Sequence, residues 1–202
     1  MIHVNLFTTL DLVAQAPGGP EEDPEGFPFG GWQAPLIDEA VGRQVTAAME
    51  GTDALLLGRR TYDIFAAHWP HQDNEIAAVF NSVPKYVASR GNPDLTWAGS
   101  TQLGPDLAAA VRDLRDKHDH IRVYGSLNLL RTLLRERLLD QLNLWVYPIV
   151  LGVGKKVFDG GETPANLELL EPPTASPKGA VLLRYGLRPG TPATGDMAAQ
   201  EA

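Results

Sequence analysis

Apolar residues along the chain follow two alternating patterns. Short, nearly continuous apolar runs predict strands over 2–10 ("IHVNLFTTL"), 53–58 ("DALLLG"), 85–89, 121–125, 142–152 and 180–187. Between them the apolar spacing becomes helical. Ile37, Val41, Val45 and Met49 share one face of a helix over 36–50, with Pro35 placed to start it. Further helices are predicted over 61–69, 106–118 and 128–139. Pro148 interrupts the run 142–152, which predicts a bulge or bend there.

Strands alternating with helices predict an α/β fold, a three-layer αβα sandwich on a mixed, mostly parallel sheet. No helix separates the last two strands, so that edge is expected to be antiparallel. Residues 1–188 read as a single domain. Within it, "PGGPEEDPEGFPFGG" (17–31) holds only proline, glycine, acids and two phenylalanines, the composition of a lid-like loop. Residues 189–202 read as a disordered tail.

Composition narrows the function. The net charge is −8, which argues against nucleic acid or an anionic membrane as partner. With no cysteine, thiolate catalysis, thiolate metal sites and disulfides are excluded. Histidine pairs in "HWPH" and "HDH" lack partners for a metal pattern, so no metal is expected. The N-terminus has no basic segment before its apolar run, and no run approaches a membrane span, so a cytoplasmic location is expected.

Candidate chemistry gathers at three strand ends. "LLLGRRT" places Gly58, Arg59, Arg60 and Thr61 where strand becomes helix, with Thr61 as the expected helix cap. "YVASR" ends in Ser89 and Arg90; "RVYGSLN" turns at Gly125, Ser126 and Leu127. Helix N-termini favour anions, arginine forks match phosphate oxygens, and glycine permits close backbone approach. Three such ends at the mouth of an open α/β sheet suggest an extended anion with several phosphates. Three arginines favour a dinucleotide carrying an extra 2′-phosphate. The chain has no G-x-G-x-x-G and no P-loop; "GVGKK" (152–156) is too short and reads as a turn.

These ends, in this order, resemble the dihydrofolate-reductase-like superfamily, and within it the bacterial branch related to the reductase domain of riboflavin-biosynthesis enzymes. The resemblance runs from about residue 2 to residue 187. It rests on "TLDL" (9–12), "DALLLGRRTYD", "KYVASR", "VYGSLNLLRTLL" and "LLDQLNLWVYPIVLGVGKKVF". It implies an NADPH cofactor and hydride transfer to a small pterin, dihydrofolate or ribosylaminopyrimidinone-type substrate. Gly58, Arg59, Arg60, Thr61, Ser89 and Arg90 would lie along the cofactor's phosphates, with Gly125, Ser126 and Leu127 under the pyrophosphate. The Gly125–Ser126 pair would carry a cis peptide, and the loop 17–31 would cover the nicotinamide.

Two carboxylates compete as the acid of the reaction. Asp11 matches the aspartate of an S-L-D-G segment, with Leu12 in place of its glycine. Asp38 follows "GGWQAP", near where dihydrofolate reductases hold their substrate-binding acid. Trp32 and Gly42 are the candidate substrate contacts; a glycine inside a helix costs about 1 kcal/mol against alanine and leaves room for a flat ring. The alternative is a nucleotide-binding protein on the same fold without turnover. The resemblance also admits a homodimer, for which the apolar strand 142–151 offers a surface.

Overall fold

The computed structural model describes residues 1–196; the rest of the expected tail lies outside the described residues. Strand β1 (Ile2–Thr9) leads through the loop 10–38 to helix α1 (Glu39–Met49). There follow β2 (Ala54–Gly58), α2 (Arg59–His68), α3 (Glu75–Ser82), β3 (Lys85–Ala88), β4 (Ser100–Gln102) and α4 (Leu107–Arg115). Then come β5 (Ile121–Tyr124), α5 (Leu127–Arg135), β6 (Gln141–Tyr147), β7 (Asn166–Leu169), β8 (Thr174–Ala175) and β9 (Val181–Arg188).

One sheet runs β4-β3-β2-β5-β1-β6-β9-β7, with β8 also on β9. All pairings from β4 to β6 are parallel, and β9 runs antiparallel to β6, β7 and β8. The continuous apolar runs explain this: β2 and β5 are buried along their whole length because helices cover both faces. Alternation then sorts the side chains. Ile2, Val4, Leu6 and Leu56 pack with α4 and α5 on one face, while Leu55 and Leu57 pack with Met49, Tyr62 and Phe80 on the other. This is the expected three-layer sandwich.

The sequence expectations miss in places. Helix α3, capped by Asn74, and the short strands β4, β7 and β8 were not predicted. Strand β6 stops at Tyr147, directly before Pro148, instead of continuing to 152. The segment after it folds back onto the turn that follows β1: Val157 N donates to the Leu12 carbonyl at 2.8 Å and Ala14 N to the Lys155 carbonyl at 2.9 Å. Leu12 itself sits at φ 66°, so it adopts the left-handed conformation that glycine would take more cheaply. Strand β6 has both edges paired, to β1 and β9, and offers no free edge to a second copy.

Candidate active site

The parallel strands β2, β3 and β5 deliver their carboxyl ends, and β1 its residues Asn5, Leu6 and Phe7, to one cleft of about 1750 Å³, where open α/β sheets bind ligands. All nine candidate cofactor residues line it: Gly58, Arg59, Arg60, Thr61, Ser89, Arg90, Gly125, Ser126 and Leu127. They arrive from three separate stretches of chain because the sheet places β3, β2 and β5 side by side.

The helices differ in how they are capped, and α4, capped by Asp106, also starts at this cleft. Asp38, Asn74 and Asp106 cap α1, α3 and α4 with side-chain oxygens accepting from Val41 N, Ala77 N and Ala109 N. Helices α2 and α5, which open on the cleft, have no side-chain cap. Thr61 is not the cap expected of it: α2 starts at Arg59 with Gly58 at the N-cap, and Thr61 falls in its first turn. The first backbone N–H groups of both helices therefore face the cleft with their positive dipole ends.

The two helix starts touch. A Cβ on Gly58 would lie 1.7 Å from Ser126 Oγ and 2.7 Å from Ser126 Cβ, so only glycine fits. Gly125 and Ser126 turn the chain with φ 61° and φ 60°, both left-handed. The expected cis peptide is not there: among the described residues every peptide bond is trans, and two consecutive left-handed residues make the turn instead.

The arginines are already engaged. Arg59 Nε bonds both oxygens of Asp63, at 3.1 and 2.8 Å. Arg60 binds Glu25 of the loop 17–31, at 2.6 and 3.3 Å, and Lys155 Nζ lies 2.7 Å from the same carboxylate. The loop is thus tied across the cleft. Trp32 Nε1 donates to the Gln15 carbonyl at 2.9 Å, Gln15 bonds Asp23, and the Phe27 ring blocks any side chain at Gly154. Phe29, in the same loop, is exposed.

Both candidate acids are bound to backbone N–H groups. Asp11 accepts from the Thr9 hydroxyl at 2.6 Å, from Leu151 N at 3.2 Å and from Gly152 N at 3.0 Å. The Thr9 bond, with these N–H groups and Lys156, pulls its carboxyl down to about 2. Asp38 accepts from Val41 N at 2.9 Å and Lys178 N at 3.0 Å, which also lowers it. Neither residue lines the cleft. Both are staples that join loops to the frame, and the acid role expected of them has no geometric support. Of the candidate substrate contacts, Gly42 lines the cleft with open space above its Cα, whereas Trp32 is buried behind it against Tyr147, centroids 5.5 Å apart.

Other lining residues escaped the sequence reading. Between α1 and α3 the wall is aromatic: Phe65, Trp69, Phe80 and Tyr124. Phe65 and Trp69 stood on a helix already recognised, but nothing in their spacing separates a cleft wall from a core.

The model of the family described as the RibD C-terminal domain matches residues 1–178. An uncharacterized protein of Bacillus subtilis, YyaP, is 27% identical over 156 residues, covering 74% of this chain and 81% of that protein. Among solved structures, a putative riboflavin biosynthesis protein from Shewanella sp. PV-4 superposes with a TM-score of 0.73 at 20% identity, covering 93% of this chain and 99% of that one. A pyrimidine reductase-like protein from Corynebacterium diphtheriae gives 0.62 at 15% identity, covering 94% and 92%. With the sheet order, the cleft and the family match in agreement, the chain belongs to the RibD C-terminal domain family of the dihydrofolate-reductase-like superfamily.

Proposed function

We propose that this protein is an NADPH-dependent reductase acting on a small planar heterocycle or related carbonyl or imine. The observation that carries the reading is the pair of uncapped helix starts meeting at Gly58 and Ser126, flanked by Arg59, Arg60, Ser89 and Arg90. Free N–H groups at two converging helix N-termini suit a pyrophosphate, and the arginine forks suit an added 2′-phosphate. The cofactor, when bound, supplies the hydride. The chain's own part is to hold the phosphates, to shield the reacting face from water with the loop 17–31, and to orient the ring over Gly42. Asp11 and Asp38, held ionised and outside the cleft, are not assigned the proton.

That same observation about the aspartates favours a second reading, a nucleotide-binding protein without turnover. Consumption of NADPH with dihydrofolate, dihydropterin and a ribosylaminopyrimidinone separates the two. The reductase reading expects turnover with at least one; saturable NADPH binding with no consumption across the panel favours the second.

A further inference from the structure

The carboxylates that line the cleft are, with one exception, held ionised by a partner. Lys155 lies 2.7 Å from Glu25 and 3.6 Å from Asp23. Arg59 pairs with Asp63 at 2.8 Å, Arg135 with Glu136 at 3.0 Å, and Arg131 with Asp159. Asp106 caps α4. Among the described residues, Glu22 is the cleft carboxylate with neither a cation beside it nor a helix start beneath it.

The two oxygens of Glu22 are in different situations. Oε2 accepts from Gly18 N at 2.6 Å and from Gly19 N at 3.2 Å. Oε1 makes no hydrogen bond to any described residue. One oxygen is fixed as an acceptor, which leaves the other to carry a proton. Burial raises this carboxyl above its ordinary range, and Asp23 beside it acts the same way; the Gly18 and Gly19 N–H groups and the His68 imidazole act against it. Asp11, Asp23, Glu25 and Asp38 all move in the opposite direction. A half-buried carboxyl that keeps its proton, in a cleft of ionised neighbours, is what general-acid catalysis requires.

The loop also holds Glu22 in place. Glu22 N donates to the Gly19 carbonyl at 3.2 Å and closes a turn. Just beyond it, Asp23 is bound by Gln15 and Lys155, and Glu25 by Arg60 at 2.6 Å. Glu22 thus belongs to the segment tied across the cleft, and it lines the same cleft as Gly42.

We propose that Glu22 is the proton donor of the reduction, brought to the cleft by the loop 17–31. The inference rests on the reductase reading. As hydride arrives at the carbon of the substrate's C=N or C=O bond, the π pair moves to the heteroatom, which takes the proton from the Glu22 carboxyl. The substrate is reduced, the dihydronicotinamide is oxidised, and the Glu22 carboxylate regains a proton from water.

Two measurements on the intact protein test this. Glutamate carboxyl NMR, assigned by comparison with Glu22→Gln, is expected to show Glu22 titrating above Glu25 and above the ordinary value of about 4.3. Kinetics with dihydrofolate, dihydropterin and the ribosylaminopyrimidinone then compare parent and variant. Glutamine keeps a side-chain oxygen for Gly18 and Gly19, so Glu22→Gln should retain the melting temperature and the NADPH affinity of the parent. Its rate should fall about a hundred-fold or more at the parent's pH optimum. The acid form is the active one, so the parent's rate should fall as pH rises through the Glu22 pKa, and the variant should lack that fall. Titration of Glu22 at or below 4.3, or a variant that keeps both the rate and the fall, would overturn the assignment of Glu22 alone. A parent that consumes NADPH with none of the three compounds would overturn the reductase reading, and the proton donor with it.

Discussion

Glu25 spans the cleft to Arg60, Oε1 lying 2.6 Å from Nη2 and Oε2 3.3 Å from Nη1. Lys155 closes on the same carboxylate at 2.7 Å. An acidic loop residue therefore sits on a cation that is also in position for a phosphate. If the cleft takes a phosphorylated ligand, the two anions compete. Glu25→Gln should tighten NADPH binding about two- to five-fold at low salt, the scale of an exposed ion pair, and the gain should shrink as salt screens the pair. Titrations at two ionic strengths measure it. Weaker binding in the variant would show that Glu25 helps to close the loop over the ligand instead.

Gly58 and Ser126 define the narrowest point of the proposed phosphate seat. Gly58→Ala forces a Cβ to 1.7 Å from Ser126 Oγ. Overpacking of this kind costs about 1–3 kcal/mol, and NADPH affinity should fall with it. The double variant Gly58→Ala/Ser126→Gly removes the clashing side chain and gives glycine the left-handed position, so most of the stability should return. Denaturant melts of the single and double variants supply the check. Equal losses in both would refute the steric account.

Gly42 lies inside α1 with nothing within 4 Å of where its Cβ would stand. Gly42→Ala should therefore stabilise the protein by about 0.5–1 kcal/mol through helix propensity. The same methyl enters the cleft that Gly42 lines, so affinity for the proposed substrate ring should drop while NADPH affinity holds. Gain of stability with loss of turnover would mark a glycine kept for function; a neutral effect on both would remove Gly42 from the site.

His3 carries a pH signature far from the cleft. Burial, then Arg122, pulls its pKa from 6.5 to about 4. Between these values the unfolded chain binds the proton and the folded chain does not. Stability therefore rises with pH from about 4 to 6.5, by an amount that solvent screening of this partly exposed ring reduces. His3→Gln should flatten that part of the stability profile, read from urea midpoints across the interval. An unchanged slope would mean that His3 is not the group that titrates.

The parts of this molecule that were legible in the sequence are those with a strong physical demand. Buried parallel strands such as 54–58 need apolar residues at every position, and their runs stand out. The proposed phosphate seat calls for glycine, hydroxyl and arginine at strand ends, and the nine residues picked out on that ground all line the cleft. What failed was geometry set by distant chain. Asp11 reads as a catalytic acid until Leu151 and Gly152, far along the chain, supply their N–H groups. Thr61 reads as a cap until Gly58 takes that place in order to clear Ser126. Tyr124, a cleft-wall residue, carries no signal in a buried strand. Helix α3 lacks a long period and β4 is three residues long, too short for alternation to show.

The central claim is a seat for a 2′-phosphorylated dinucleotide at the start of α2 and α5. Its most direct test is the affinity ratio of NADPH to NADH, by calorimetric titration of the parent protein and of Arg60→Ala. The account predicts at least ten-fold preference for NADPH in the parent, reduced by Arg60→Ala with NADH affinity nearly unchanged. Equal affinity for the two dinucleotides, or binding of neither, would contradict it.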